Sequence, residues 1–313
     1  MIVEHITDPE KFGHVAVVMG GASAEREVSI KSGNAVLSGL VSRGIDAVKV
    51  EIFDNMVEPF ITERYDRVFN IIHGRGGEDG VLQGVLEALA IPYTGSKVMA
   101  SALCMDKLRT KWCLQGAGLQ TPSWCLLTGE QDMDSCIAEL GFPVMVKPAQ
   151  EGSSFGMSKA EDRDQLIAAY QLAAEFDCDV YAEAWVEGDE YTVAILAGQA
   201  LPVIRLQTPN AFYDYEAKYL ADTTQYHCPC GLDSERERQL QTLAVQACNI
   251  TGAEGWARVD LFIDKMDKEQ LIEINTVPGM TDHSLVPMAA KAQGIEFDAL
   301  VWRILETSIL ATS

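Results

Sequence analysis

The sequence has no long apolar run, no cluster of basic residues and no CxxC pair of cysteines. A membrane-spanning helix needs about 18 consecutive apolar residues, so we expect no membrane partner. Contact with a nucleic-acid backbone needs a basic stripe, and the lack of one argues against nucleic acid as a partner. The first residues carry neither the basic start nor the apolar stretch of a secretory signal, which predicts a cytoplasmic protein.

The eight cysteines are scattered, and the closest two, Cys228 and Cys230, form only a CxC. This spacing predicts buried, reduced thiols and does not favour zinc. Acidic residues outnumber basic residues by 46 to 24, which gives a formal net charge of −22. A polyanionic ligand would therefore need local cations or a metal ion to hold it. With 313 residues, 48% of them hydrophobic, we expect two or three folded domains.

Strand-like and helix-like patterns alternate in the first third of the chain. They fall in turn at 14–19, 24–42, 47–52, 67–72 and 81–90. This alternation predicts an α/β fold that begins with a doubly wound parallel sheet, in a first domain over residues 1–104. Mixed patterns predict a second domain over 105–188 and a third over 189–313. The irregular segment 207–228 contains five aromatic residues, so we expect a functional loop there and not disorder.

Two strand-like segments near the end of the chain place acidic residues on one face. Strand side chains alternate, so Arg258 and Asp260 share a face, as do Glu273 and Asn275. The short polar stretch between the segments predicts a hairpin with Asp260 opposite Glu273 and Arg258 opposite Asn275. Facing carboxylates repel unless a cation lies between them, and their oxygens suit Mg²⁺. The alternative is a solvent-facing polar strand that Arg258 neutralises.

Lys147 ends an otherwise apolar run, and a buried lysine needs an anionic partner. The Gly/Ser-rich stretch from Glu151 to Ser158 follows it, and such a loop lets backbone N–H groups approach phosphate oxygens. Alone, this stretch is more typical of an ordinary exposed turn. A strand lysine, a Gly/Ser loop and paired acids in this order together favour a nucleotide–magnesium site.

The first glycine turn, Gly20–Gly21, lacks the GxGxxG spacing of a dinucleotide site, which disfavours a nicotinamide-dependent oxidoreductase. Glu25 follows this turn at the start of a predicted helix. It either binds a substrate ammonium group or only interacts with the helix dipole. His73 at a strand end is either a site residue or a turn histidine that bonds the backbone.

These segments resemble the D-alanine–D-alanine ligase family of ATP-grasp ligases, nearly from end to end. The matching motifs are Gly20–Ser29, His73–Gly80, Tyr93–Ser96, Met105–Lys107, Val146–Pro148, Glu151–Ser154, Tyr213–Tyr219, Arg258–Asp260, Glu273–Asn275, Pro278–Thr281 and His283–Pro287. Small departures occur at Phe155, Val277 and Cys230, none of which replaces a ligand. The resemblance implies a three-domain ATP-grasp fold, with the N-terminal domain followed by two α+β domains that sandwich ATP.

The activity that the resemblance implies is the ATP-dependent joining of two D-alanines for peptidoglycan precursors, through an acyl phosphate, with ADP and phosphate as products. The implied ATP-binding residues are Lys107, Lys147, Glu151, Ser153, Ser154, Glu183, Trp185, Val186, Glu190 and Lys218. The implied ligands of two Mg²⁺ ions, or of Mn²⁺, are Asp260, Glu273 and Asn275. The implied catalytic residues are Glu25, Ser153, Tyr219, Arg258, Gly279 and Ser284. The implied substrate-binding residues are Glu25, His73, Arg258, Gly279, Ser284 and Leu285.

In this assignment Glu25 takes the first substrate's ammonium group and bonds Ser153 and Tyr219. Arg258 and the Gly279 N–H form the oxyanion site, and the N–H groups of Ser284 and Leu285 hold the second carboxylate. His73 adds positive or hydrogen-bonding character. The loop 207–228 resembles the family's lid.

Related depsipeptide-forming ligases lack the motif that contains Tyr219, so the resemblance implies a dipeptide product. It also implies a homodimer. The alternatives are an ATP-grasp ligase with another acceptor and a catalytically silent nucleotide-binding module, although no catalytic residue is missing.

Overall fold

A computed structural model describes residues 6–208, 224–281 and 283–309. Its strands are β1 (Val15–Gly20), β2 (Ala47–Ile52), β3 (Arg67–Asn70), β4 (Trp124–Leu127), β5 (Val144–Pro148), β6 (Ser158–Ala160), β7 (Val180–Ala184), β8 (Gly188–Leu196), β9 (Gln199–Ala200), β10 (Ile204–Gln207), β11 (Gln225–His227), β12 (Trp256–Asp264) and β13 (Glu269–Asn275). Its helices are α1 (Arg26–Ser42), α2 (Glu58–Thr62), α3 (Val81–Ala88), α4 (Val98–Met105), α5 (Lys107–Gly116), α6 (Met133–Leu140), α7 (Arg163–Ala173), α8 (Ser234–Thr251), α9 (Leu285–Ala292) and α10 (Phe297–Glu306).

The first sheet is parallel, in the order β2–β1–β3. Every residue of β1 is buried, as expected for the central strand of a parallel sheet covered on both faces. The parallel α/β sheet predicted within residues 1–104, called the first block from here on, is therefore confirmed. Helix α1 begins at Arg26 and not at 24, because Arg26 N–H still closes a turn onto the Ser23 carbonyl.

The second sheet is antiparallel, in the order β4–β7–β5–β6. Helices α6 and α7 pack on this sheet over one apolar core that includes Val146, Leu166 and Ala182. The third sheet follows the order β11–β10–β8–β12–β13, with β9 beside β8. Helix α8 covers it over a second core that includes Val259 and Leu240.

Residues 185–187 join strand β7 of the second sheet to strand β8 of the third. Gly188, the first residue of β8, lies against the backbone of β12. A β-carbon built there would overlap the carbonyl oxygen of Ile263. The connection between the two sheets is therefore both short and tightly packed.

The ends of the described chain contribute to one core. Residues of β1 and α1 pack with residues of α9 and α10, and α10 lies against α1. The Ile6 N–H donates to Glu306 at 2.8 Å, and the Trp302 indole N–H donates to Ile6 and Glu306. Residues 189–313, called the third block from here on, are thus joined to the first block by apolar packing as well as by the chain.

Candidate functional site

A cleft of about 360 Å³ lies between the second and third sheets. Most of the residues that the sequence predicts to bind ATP and metal ions line this cleft. Its walls include Lys107, Lys147, Glu151, Ser153, Ser154, Glu183, Trp185, Val186, Glu190, Asp260 and Glu273. Because these residues come from five separate segments of the chain, only the fold brings them together.

The hairpin of β12 and β13 has the predicted register. Arg258 pairs with Asn275, and Asp260 pairs with Glu273. Asp260 accepts hydrogen bonds from the Arg258 guanidinium at 2.7 and 2.9 Å, from the Thr192 hydroxyl at 2.6 Å and from the Asn275 amide at 3.1 Å. Internal donors thus hold this carboxylate in place.

Lys107, at the start of α5, bridges the hairpin and the Gly/Ser loop. Its ammonium group lies 3.2 Å from the Glu273 carboxylate and donates to the Glu151 carbonyl at 2.6 Å. Burial alone would lower the pKa of Lys107, but the charge and hydrogen bond of Glu273 raise it above its usual range. Lys107 is therefore a fixed cation at the cleft wall.

Lys147 pairs with Glu183, which confirms that the lysine at the end of its apolar run has an anionic partner. Glu183 also pairs with Lys111 at 2.8 Å, and all three side chains are nearly inaccessible to solvent. Burial alone would raise the pKa of Glu183, but the two ammonium groups lower it. Burial and the nearby charge of Lys147 lower the pKa of Lys111 in spite of Glu183.

Lys111 was not among the residues predicted for the site. The signal was present, because Lys111 lies four residues after Lys107 and therefore on the same face of a helix. Thr192, which holds Asp260, was also missed, because its partner lies 68 positions away in the sequence.

The Gly/Ser loop contains two residues in an unusual backbone conformation. Ser153 and Ser154 have φ angles of 49° and 62°, a region that non-glycine residues seldom adopt. The Ser153 hydroxyl donates to the Glu25 carboxylate, and the Arg75 guanidinium pairs with Glu151 at 2.9 Å. Strained backbone of this kind concentrates at functional sites.

Glu25 precedes helix α1 as its N-cap residue and is almost fully buried. Another carboxylate, that of the partly buried Glu78, accepts the Gly74 N–H at 2.6 Å and the Val277 N–H at 3.1 Å. Burial and the charge of Glu25 raise the pKa of Glu78 to about 8. Glu78 lies within the motif His73–Gly80 but was not predicted as a site residue.

His73 is buried, and its Nδ1 lies 2.8 Å from the Val277 carbonyl. Burial lowers the pKa of His73, although the charge of Glu25 acts in the opposite direction. A neutral imidazole follows. Of the two roles expected for His73, the structure favours hydrogen bonding over positive charge.

The segment 277–285 follows the C-terminal end of β13. The Ser284 hydroxyl accepts the Thr281 N–H at 2.9 Å, and the Ser284 N–H donates to the Thr281 carbonyl at 2.9 Å. Leu285 is the first residue of α9, so its N–H is at a helix N-terminus, where anions bind favourably. A β-carbon at Gly279 would lie 3.0 Å from the Ser284 hydroxyl, so the segment is compact.

Asp260, Glu273 and Asn275 supply two carboxylates and an amide from one hairpin face. Oxygen donors of this kind fit Mg²⁺ or Mn²⁺. Within residues 6–208, 224–281 and 283–309, no group of three or more His, Cys, Asp or Glu side chains could hold a metal ion. A metal ion here would therefore need Asn275 or oxygens from a phosphate ligand to complete its coordination.

Two predicted site residues, Lys218 and Tyr219, lie outside the described residues, as does most of the predicted lid 207–228. All eight cysteines are described, and all are free thiols. Among the described helices, none has the length and apolarity needed to cross a bilayer.

Comparisons with known proteins agree with this geometry. A model of the D-ala D-ala ligase C-terminus matches residues 113–306, and one of the D-ala D-ala ligase N-terminus matches residues 49–96. The D-alanine–D-alanine ligase of Methylococcus capsulatus is 59% identical over 97% of this chain and 99% of its own length. That of Ectopseudomonas mendocina is 56% identical over 97% of both chains.

Solved structures give the same result. The D-alanine–D-alanine ligase of Bacillus anthracis in complex with ATP is 34% identical, has a TM-score of 0.82 and covers 94% of this chain and 96% of its own. The VanG D-Ala:D-Ser ligase of Enterococcus faecalis is 29% identical, has a TM-score of 0.84 and covers 95% of this chain and 99% of its own. The fold, the cleft and these similarities show that the chain belongs to the D-alanine–D-alanine ligase family and has its ATP-grasp fold.

Proposed function

We propose that the protein joins two D-alanine molecules to D-alanyl-D-alanine at the expense of ATP, for peptidoglycan precursor synthesis. The observation that carries the proposal is the hydrogen bond from Ser153 to Glu25. It connects the cationic cleft to a buried carboxylate of the first block, so a phosphoryl donor and an amino-acid ammonium group would lie side by side. Most of the relatives compared above carry this activity in their names.

Two groups of cleft residues would hold ATP: lysines would bind its phosphates, and other residues would contact its adenine and ribose. Lys107 and Lys147 would hold the α- and β-phosphates, assisted by Ser153 and Ser154 in the strained loop, where Glu151 also lies. Adenine and ribose would contact Glu183, which pairs with Lys147, together with Trp185, Val186 and Glu190. Lys218 would reach the γ-phosphoryl group. Burial in a low-dielectric cleft strengthens each of these contacts.

Asp260, Glu273 and Asn275 would hold two Mg²⁺ ions, or Mn²⁺ in their place. When bound, the ions would neutralise phosphate oxygens that a chain of net charge −22 otherwise repels. Arg258 pairs with Asp260 and Lys107 with Glu273 in the described structure, and with metal ions bound to these carboxylates both cations would be available for substrate.

The reaction has two steps. The carboxylate of the first D-alanine attacks the γ-phosphorus, the bond to ADP breaks, and an acyl phosphate forms. The amine of the second D-alanine then attacks the acyl carbon, loses a proton and expels inorganic phosphate. Arg258 and the Gly279 N–H would stabilise the tetrahedral oxyanion, a type of contact that contributes about 10²–10³ in rate. The N–H groups of Ser284 and Leu285 would hold the carboxylate of the second D-alanine. His73 would contribute hydrogen bonding near the substrates.

Tyr219 and the lid 207–228 would exclude water from the acyl phosphate and favour an amine over a hydroxyl acceptor. We also propose three domains, 1–104, 105–188 and 189–313, a cytoplasmic location and a homodimer. Size-exclusion chromatography with light scattering tests the last of these, since a 34.2 kDa species would exclude a stable dimer.

The test is ADP release with Mg²⁺, measured over a panel of D- and L-amino acids, D-serine and D-lactate, with mass identification of products. We expect release that depends on D-alanine and yields the dipeptide. Activity with an L-amino acid and none with D-alanine would refute the substrate assignment. Preference for D-lactate over D-alanine at neutral pH would refute the role of Tyr219.

A further inference from the structure

The segment 277–280, which carries the proposed oxyanion donor Gly279, is held by side chains from the first block. The Val277 carbonyl lies 2.8 Å from His73 Nδ1. The Met280 N–H donates to the Ser32 hydroxyl at 3.1 Å. Gly279 therefore lies between two backbone positions whose partners both come from more than 200 residues earlier in the chain.

Ser32 and His73 also contact each other, with 3.3 Å between the Ser32 Oγ and His73 Nε2. Because Nδ1 faces a carbonyl oxygen, it must carry the ring proton, and Nε2 of the neutral ring is then an acceptor. The Ser32 hydroxyl donates its proton to Nε2 while its oxygen accepts the Met280 N–H. Four hydrogen-bonding groups thus form a closed chain that encloses residues 277–280.

We infer that Ser32 is a positioning residue that fixes the direction of the Gly279 N–H. The inference rests on the proposed function, in which that N–H stabilises the tetrahedral intermediate. Ser32 is fully buried on α1, and its contacts are with His73 and the segment 277–280, so it acts through them and not on substrate. A displaced donor weakens the second chemical step, because oxyanion contacts require about 2.7–3.1 Å.

Ser29 provides a matched control. It is also fully buried on α1, one turn earlier, and its hydroxyl likewise makes two hydrogen bonds, in this case both to the backbone. It donates to the Ile71 carbonyl at 2.7 Å and accepts the Gly20 N–H at 2.9 Å. Both partners belong to the first block, so Ser29→Ala removes a comparable buried hydroxyl without touching the segment 277–280.

The experiment compares Ser32→Ala with Ser29→Ala in the full chain. ADP release and dipeptide formation are measured in the same samples, with the KM for ATP and the urea midpoint of each variant. For Ser32→Ala we expect a roughly 10- to 100-fold lower kcat for dipeptide, since misplacement of a catalytic group by about 1 Å costs about 10²-fold. We also expect more than one ADP per dipeptide, because water competes for an acyl phosphate that waits longer, and an ATP KM within about twofold of the original.

Ser29→Ala should lose similar stability while keeping about one ADP per dipeptide. If Ser32→Ala keeps this ratio and matches Ser29→Ala in kcat, the inference is wrong. If Ser32→Ala does not fold, Ser32→Cys retains the volume but bonds weakly, and a ratio of one in that variant also overturns the inference. A parent enzyme that makes no dipeptide at all refutes the proposed function instead.

Discussion

Replacing Glu183 with glutamine removes a carboxylate that pairs with both Lys111 and Lys147. Both ammonium groups are almost inaccessible, so neither gains water when the negative charge is lost. Removing one partner of a buried ion pair costs about 3–5 kcal/mol, because the remaining charge stays buried and uncompensated. Two cations depend on this carboxylate, so we expect a loss at the upper end, about 5 kcal/mol in the free energy of unfolding.

A surface carboxylate in the same arrangement provides the control. Glu51 lies between Arg26 at 2.5 Å and Lys49 at 2.7 Å, but all three side chains are partly exposed. Exposed pairs contribute about 0–1 kcal/mol, so Glu51→Gln should change stability little. Urea titration of both variants without nucleotide measures the difference. A loss for Glu183→Gln no larger than that for Glu51→Gln would refute the reasoning.

The pH dependence gives a second readout of the same change. Because the folded-state pKa of Glu183 is lowered, its contribution to stability is complete above the ordinary value of 4.5 and is lost as the pH falls through the folded-state value. The stability difference between the parent and Glu183→Gln should therefore shrink in acid. Adding Lys111→Met to Glu183→Gln should recover part of the loss, because one uncompensated cation disappears.

Three further substitutions test other contacts. Burial raises the pKa of Glu78 to about 8, so the stability of the parent relative to Glu78→Gln should fall as the pH rises from 4.5 to about 8. Urea titrations across this range measure the change, and a stability difference that does not vary with pH would contradict it. Ser153→Ala removes the hydrogen bond to Glu25, and steady-state assays should show a roughly 10-fold higher KM for D-alanine with a smaller change for ATP. Trp302→Phe leaves buried Glu306 without its indole donor, which should cost about 1–3 kcal/mol by urea titration, while an unchanged midpoint would show the bond is unimportant.

Local patterns in the sequence predicted the elements that depend on local chemistry. The hairpin register follows from strand alternation and a short turn, and the pairing of Asp260 with Glu273 confirms it. Helix α8 lies between two local signals in the sequence: the Asp233 side chain caps its start, and Gly252, in the left-handed conformation, ends it. Signals of this kind lie within a few residues of the element they define.

Contacts between distant segments were not predictable in the same way. Nothing near Lys111 indicates that the carboxylate of Glu183, 72 residues later, will pair with both Lys111 and Lys147. The common core of the first and third blocks depends on α10 packing against α1. The sequence pattern of neither helix indicates that the other is its partner. Short elements such as α4 and β4 were also missed, because eight and four residues give too little periodicity to recognise.

The connection through residues 185–187 limits how the cleft can change shape. From Ala184 to Gly188 the chain spans four peptide units, which reach at most about 14 Å when fully extended. The two sheets can therefore separate widely only at the edge away from this tether, so that opening is angular and its pivot lies beside Trp185. Since Gly188 has no room for a β-carbon, a larger residue there would shift the pivot and, with it, the wall proposed above to contact adenine.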